Sequence, residues 1–122
     1  MIHIEGVVIH GNSLGRTIGF PTANISLASD VVVDNGVYYS EVVVDGESYR
    51  AMTNVGVRPT VGGEQRLVET HILDFSASLY DKRIIVTLYE KIRDEQKFPS
   101  LAALREQLAA DADYVRRRGG CL

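Results

Sequence analysis

With 122 residues, 45% of them hydrophobic and 24% charged, the chain has enough apolar material for one packed core and too much for a disordered polymer. Thirteen Lys and Arg against sixteen Asp and Glu leave a net charge of −3, so the basic footprint that binds nucleic-acid phosphates is missing. The single cysteine, Cys121, excludes an intrachain disulfide and a cysteine-based zinc site, and no apolar run approaches the roughly 18 residues that cross a bilayer. Met1–His10 has neither the basic start nor the apolar centre of a secretory signal, so a small cytoplasmic domain spanning residues 1–122 is expected.

The first β-branched run, Val7-Val8-Ile9 within Gly6–His10, predicts a strand. Gly11–Asn24 (GNSLGRTIGFPTAN) then reads as a long glycine-rich loop, which is costly in conformational entropy and therefore points to a ligand. Gly11, Gly15 and Gly19 let phosphates approach the backbone, and Arg16 adds a permanent cation with a fork of donors. The spacing is not that of a P-loop: it is a residue short between the glycines, has Arg in place of Lys, and lies in a β-rich context. Pro21 biases Phe20 toward an extended conformation, and Thr22 and Asn24, two residues apart, can present two neutral oxygens to one object. That object is either a hard cation such as Mg²⁺ or the loop's own backbone, in an Asx or Ser/Thr turn. Asn24-Ile25-Ser26 matches a glycosylation sequon by chance, since no secretory signal accompanies it.

Val37–Val44 is rich in strand formers and stops at Asp45-Gly46, the dipeptide suited to a type I′ hairpin, with a return arm over Glu47–Val55 ending at Gly56. Two further strands are expected at Leu67–Asp74 and Arg83–Ile92. From Ser100 the period changes: Leu101, Leu104, Leu108, Ala112 and Val115 fall at helical spacing, with Ser100 as N-cap after Pro99 and Gly119-Gly120 as the stop. Arg116, Arg117 and Arg118 read as solvated helix-end charge more readily than as a nucleic-acid contact. The residues alone thus predict a small barrel or sandwich and one covering helix.

Five blocks then narrow the reading. GRTIGFPTAN (Gly15–Asn24), GVYY (Gly36–Tyr39), NVGVRPT (Asn54–Thr60), VETHILDF (Val68–Phe75) and IRDEQKF (Ile92–Phe98) stand in the order found in riboflavin kinases. From about Gly6 to the C-terminal helix, the chain resembles the kinase half of bacterial bifunctional riboflavin kinase/FAD synthetases. The resemblance implies a mainly β fold, a six-stranded Greek-key antiparallel β-barrel over about residues 1–98, with a C-terminal α-helix over about residues 100–118. It implies Mg²⁺-dependent transfer of the ATP γ-phosphate to the ribityl 5′-hydroxyl of riboflavin, giving FMN and ADP. By the same resemblance, Thr22 and Asn24 hold the metal and the ATP phosphates, while Gly15, Arg16, Thr17 and Gly19 form the loop that closes over ATP. Glu69 matches the catalytic base, Arg93, Glu95 and Phe98 the flavin-side loop, and the segment around Arg58 a second flap. Three positions depart from the family pattern: Val61 where an aromatic is common, Asp81 where glycine is common, and Asp34-Asn35 where a proline is expected nearby. The length leaves no room for an adenylyltransferase half, so the expected product is FMN, made by a chain fused to or working beside an FMN adenylyltransferase.

The chemistry asks for positioned phosphates, a metal to neutralise charge and an acceptor for the hydroxyl proton. If Val68, Thr70 and Ile72 face the core, Glu69 shares the opposite face with Leu67, His71 and Leu73, a partly apolar setting that suits a proton acceptor. The bland alternative is a solvent-facing strand residue. Phe98 and Ile92 can supply a flavin slot, or Phe98 can simply staple the helix start. His3, His10 and His71 lack metal-ligand spacing. A flavin-storing module without turnover would have lost the phosphate chemistry, whereas Thr22, Asn24 and Glu69 are all present. A nucleic-acid-binding barrel is disfavoured by the acidic balance and the lack of Trp.

Overall fold

The computed structural model describes residues 1–9, 19–27, 31–75 and 79–119. In chain order these form β1 (Ile2–Val7), β2 (Ala23–Ser26), β3 (Gly36–Val44), β4 (Glu47–Thr60), β5 (Gly63–Ile72), β6 (Arg83–Arg93) and α1 (Leu101–Gly119). All six strands lie in one antiparallel sheet of order β1-β6-β3-β4-β5-β2. Tight hairpins join β3 to β4 and β4 to β5, and β6 returns to lie beside β3, which is Greek-key order. The two edges almost meet. Ile9, just past β1, donates its N–H to the Asn24 carbonyl at 2.8 Å and curls the sheet into a nearly closed barrel. At this closure Gly6 has to be small, because a Cβ there would overlap the buried Ile25 side chain.

The hairpin at Asp45-Gly46 forms as expected, with φ of +50° and +82° at the two central residues, the pair of positive values a type I′ turn requires. Other boundaries move. The strand expected at Gly6–His10 instead occupies Ile2–Val7, because Ile2 and Ile4 alternate with His3 and Glu5 along a half-polar strand paired to β6. Val8 and Ile9 mark where the chain leaves β6 for β2: Val8 N–H donates to the Lys82 carbonyl, and Ile9 to that of Asn24. β4 continues past Gly56 to Thr60, and β5 starts at Gly63 rather than Leu67, around a turn with Gly62 at φ +90°. Pro59 fits in β4 because β3 pairing ends at Val55 and leaves that side of the strand open. β5 ends at Ile72, since Asp74 turns at φ +57°. Asp81, where the resemblance leads to an expectation of glycine, sits at φ +68° and takes this left-handed conformation with a side chain. Val61 is fully exposed at the hairpin tip, so no packing rests on it.

Residues of alternating parity fill the barrel interior, among them Ile4, Val8, Ile25, Val42, Val55, Val68, Ile84 and Val86. A row of hydroxyls crosses it: Ser40 Oγ meets Thr53 Oγ1 at 2.7 Å, and Thr53 Oγ1 meets Thr70 Oγ1 at 3.0 Å. α1 packs outside the barrel, where Ala112 and Val115 meet Tyr39, Met52 and Leu73. Its N-cap is Ser100, whose Oγ accepts the Ala103 N–H at 3.1 Å. The apolar stripe starts later than the spacing suggested, because Leu101 is half exposed, and it holds a buried carboxylate, since Asp111 is as inaccessible as the expected Ala112 beside it. The helix-end arginines are taken up by carboxylates: Arg116 by Asp74 (3.2 Å), Arg117 by Asp113 (2.8 Å) and Arg118 by Glu90 (3.1 Å). Paired in this way, they form no open cationic patch.

Candidate active site

Strand alternation sets the polar wall of the site. On β5, Val68, Thr70 and Ile72 are buried inside, which turns Glu69 and His71 outward. Cross-strand register places Asn24 of β2 and Asn54 of β4 directly opposite Glu69, one on each side. Farther along β4, Arg58 shares the face of Asn54. Apolar groups line the rest of the site: Phe20, Val37 and Met52 beside the polar strand residues, and Phe98 with the helix residues Leu104 and Leu108. They line a pocket of about 310 Å³, as do Thr22, Glu69, His71, Arg93, Glu95 and Gln96. That volume sits at the lower end of small-molecule sites.

Arg58 lies between two carboxylates. Its Nη2 is 2.7 Å from Glu69 Oε1, and its Nη1 is 3.2 Å from Glu95 Oε2, which also accepts from Asn54 Nδ2 at 3.0 Å. The contact to Glu69 is an ion pair without an aligned N–H, so Glu69 Oε1 has no hydrogen-bond partner despite its burial. Asn24 Oδ1 and Asn54 Oδ1 are likewise buried and unpartnered. Three orphaned oxygens therefore stand side by side on three adjacent strands. Each is costly when dry, which marks a place where a ligand is to arrive.

His71 Nδ1 donates to the Pro21 carbonyl at 2.8 Å, and its ring meets Phe20 edge-on with centroids 5.2 Å apart. Burial pushes the imidazole below its ordinary value of 6.5, favouring the neutral ring, and the hydrogen bond to Pro21 opposes this more weakly. The contact fixes the chain where Thr22 and Asn24 begin. On the far side, Arg93 grips the buried Asp111 through Nε (3.1 Å) and Nη2 (2.8 Å), with Gln107 Nε2 donating to the same carboxylate at 3.0 Å. The guanidinium carbon lies 5.8 Å from the centre of the Phe98 ring. This group ties the chain after β6 to the helix, and the Arg93 head is engaged by Asp111.

Of the residues singled out in the sequence, Thr22, Glu69, Arg93, Glu95 and Phe98 come together around this one pocket. Asn24 lies buried next to Glu69 rather than on the pocket wall. Gly19 takes φ +89° ahead of Phe20. Gly15, Arg16 and Thr17 lie outside the described residues. The sequence reading missed Asn54, Phe20 and Asp111. The first had a signal, the alternation Asn54-x-Gly56-x-Arg58 along a strand; the last was visible as a carboxylate inside a helix's apolar stripe. Among the described residues no group of His, Cys, Asp and Glu forms a metal cage, and no helix is long and apolar enough to cross a membrane.

Comparison with known proteins identifies the relatives of this chain. The family model for riboflavin kinase matches residues 1–118. The bifunctional riboflavin kinase/FMN adenylyltransferase of Pseudomonas fluorescens is 45% identical over 114 residues, covering 93% of this chain and 37% of that protein. Its namesake in Escherichia coli K12 is 49% identical over 109 residues, covering 88% and 35%. The chain thus spans about a third of the length of these relatives. Among solved structures, the riboflavin kinase of Trypanosoma brucei superposes with a TM-score of 0.65 at 27% identity, covering 95% of this chain and 78% of that one. A Streptococcus pneumoniae crystal structure described as a macrolide-efflux protein superposes with a TM-score of 0.85 at 40% identity, covering 93% and 38%. On the family match and the shared barrel, this chain belongs to the riboflavin kinase family.

Proposed function

We propose that the chain is an ATP-dependent riboflavin kinase that converts riboflavin to FMN, with Glu69 as its general base. The observation that carries this reading is the position of Glu69. It stands on the polar wall of a half-apolar pocket, with an unpartnered oxygen and with the buried, unpartnered Asn24 oxygen opposite it in register. The apolar lining of Phe20, Met52, Phe98, Leu104 and Leu108 suits a flat tricyclic ring, and the polar groups around Glu69 suit a polyol chain ending in a hydroxyl. With the hydroxyl against Glu69, the carboxylate takes its proton as the oxygen bonds to the γ-phosphorus and the bond to ADP breaks.

Magnesium fits this donor set. Asn24 Oδ1 is an orphaned, buried neutral oxygen, and Thr22 lies two residues before it on the same approach. Few protein carboxylates are needed where nucleotide phosphates complete the shell, in keeping with Mg²⁺'s reluctance to dehydrate. Bound there, the ion would neutralise charge on the phosphates. His71, through the Pro21 carbonyl, keeps Thr22 and Asn24 in place. Gly15, Arg16, Thr17 and Gly19 are assigned to the ATP phosphates, and Arg93, Glu95 and Phe98 to the flavin side, Arg93 acting through its hold on the loop. The names of the relatives support a role in FMN supply, fused to or beside an FMN adenylyltransferase.

The direct test mixes the protein with riboflavin, ATP and Mg²⁺ and follows FMN by chromatography. FMN formation that stops on chelation of the metal is the expected result. A folded sample that makes none would refute the proposal.

A further inference from the structure

We propose that Arg58 is a positioning residue that holds Glu69 and Glu95 as one unit, and that Asn54, Gly56 and Arg58 together form a built seat for the Glu95 carboxylate. The inference rests on the kinase reading above. In β4, residues 54, 56 and 58 fall on one face. The middle one has no side chain, and the notch it leaves is filled: a Cβ on Gly56 would overlap both Glu95 carboxylate oxygens and come within 2.7 Å of Arg58 Nη1. Asn54 Nδ2 donates to Glu95 Oε2 at 3.0 Å from one side, and Arg58 Nη1 donates to it at 3.2 Å from the other. Nη1 also donates to the Val57 carbonyl at 3.0 Å, which steadies the guanidinium on its own strand.

The same planar cation reaches Glu69 with its other nitrogen, at 2.7 Å. Two carboxylates from different elements, β5 and the chain after β6, therefore share one permanent positive charge that relieves their mutual repulsion. The Glu69 contact is an ion pair without an aligned hydrogen bond, so the guanidinium holds this carboxylate by charge and takes up none of its hydrogen-bonding capacity. A substrate that moves Glu95 is felt at Glu69 through Arg58. The alternation Asn-x-Gly-x-Arg is the sequence form of this seat.

The experiment compares wild type with R58Q, R58K, G56A, E95Q and the double variant R58Q/E95Q. The readouts are kcat and riboflavin KM for FMN formation, riboflavin affinity by quenching of flavin fluorescence, and the thermal midpoint. R58Q is expected to lower kcat roughly tenfold or more, since a misdirected base costs rate rather than folding, and to raise riboflavin KM as E95Q does by releasing Glu95, with R58K recovering part of both losses. G56A keeps every charge but unseats Glu95, so it should raise riboflavin KM more than it lowers kcat, as should E95Q. In the R58Q background E95Q should add almost nothing, the non-additivity of residues acting as a unit. An R58Q protein with wild-type kcat and KM, or R58Q and E95Q effects that simply multiply, would overturn the proposal while leaving the kinase reading intact. Should R58Q fail to melt cooperatively, G56A decides: unchanged riboflavin KM and affinity would overturn the seat. Wild type making no FMN would remove both readings.

Discussion

Two polar rows cross the barrel on neighbouring residues of β4 and β5, the inner one continuing onto β3 and the outer one onto β2, and they could hardly differ more. Inside, Ser40, Thr53 and Thr70 form a hydroxyl row in which Thr53 serves both neighbours, and all three are essentially inaccessible. One residue along, on the opposite face, Asn24, Glu69 and Asn54 are equally well registered, yet each leaves an oxygen without a hydrogen bond. The first row is self-contained and gives the interior a single arrangement. The second is incomplete by itself, which is what a preorganised ligand site has to be. Structure and function here are separated by a single step along the pleat.

The contrast can be tested by breaking either side. The largest effect is expected at Glu69: Glu69→Gln keeps the shape and removes the proton acceptor, so FMN turnover should drop about 10²-fold or more, with riboflavin affinity by fluorescence quenching nearly unchanged. Equal losses of affinity and rate would make Glu69 a binding residue instead. Next is the satisfied ion pair at the helix seam. Asp111→Ala strips Arg93 of its partner and should lower stability by about 3 kcal/mol in urea unfolding, the low end for buried pairs because the Arg93 side chain is 18% exposed. A loss near zero would mean that the Phe98 loop is held some other way.

Thr53→Val and Asn24→Leu then set the two rows against each other. Thr53→Val takes away a partner shared by Ser40 and Thr70 and should cost about 1–2 kcal/mol with turnover retained. Asn24→Leu replaces an orphaned oxygen by an apolar group of similar size, so stability should hold or rise while Mg²⁺-dependent turnover is lost. If Asn24→Leu were the more destabilising of the two, the distinction between the rows would be wrong. The smallest effect belongs to His71. Burial lowers its proton affinity in the folded state, so the unfolded chain binds more protons as pH falls below about 6.5 and stability declines. The urea midpoint of wild type should therefore fall more between pH 7.5 and 5.5 than that of His71→Gln.

Much of this site was legible in the chain itself. The alternation around Val68–Leu73 correctly turned Glu69 and His71 away from the core, and the hairpin at Asp45-Gly46 and the Ser100 cap formed where short-range chemistry put them. β1 was less legible, since its half-polar alternation from Ile2 is weaker than the β-branched run that follows it. So was the length of β4, because nothing local to Gly56 or Pro59 tells a chain whether a partner strand continues alongside. Asp111 was hidden for a similar reason: a carboxylate in an apolar stripe is favourable only if a guanidinium arrives from elsewhere, here Arg93 of β6.

What the sequence determined by itself was therefore local and periodic: the parity of each strand, the turns that demand positive φ, the start of the helix, and the blocks that place the chain in its family. Tertiary structure alone decided which polar groups meet. Cross-strand register set Asn24 and Asn54 on either side of Glu69, and chain folding brought Glu95 from beyond β6 into the notch at Gly56. Such contacts depend on pairings between residues dozens of positions apart. Residue type constrains those pairings, but only the closed barrel realises them.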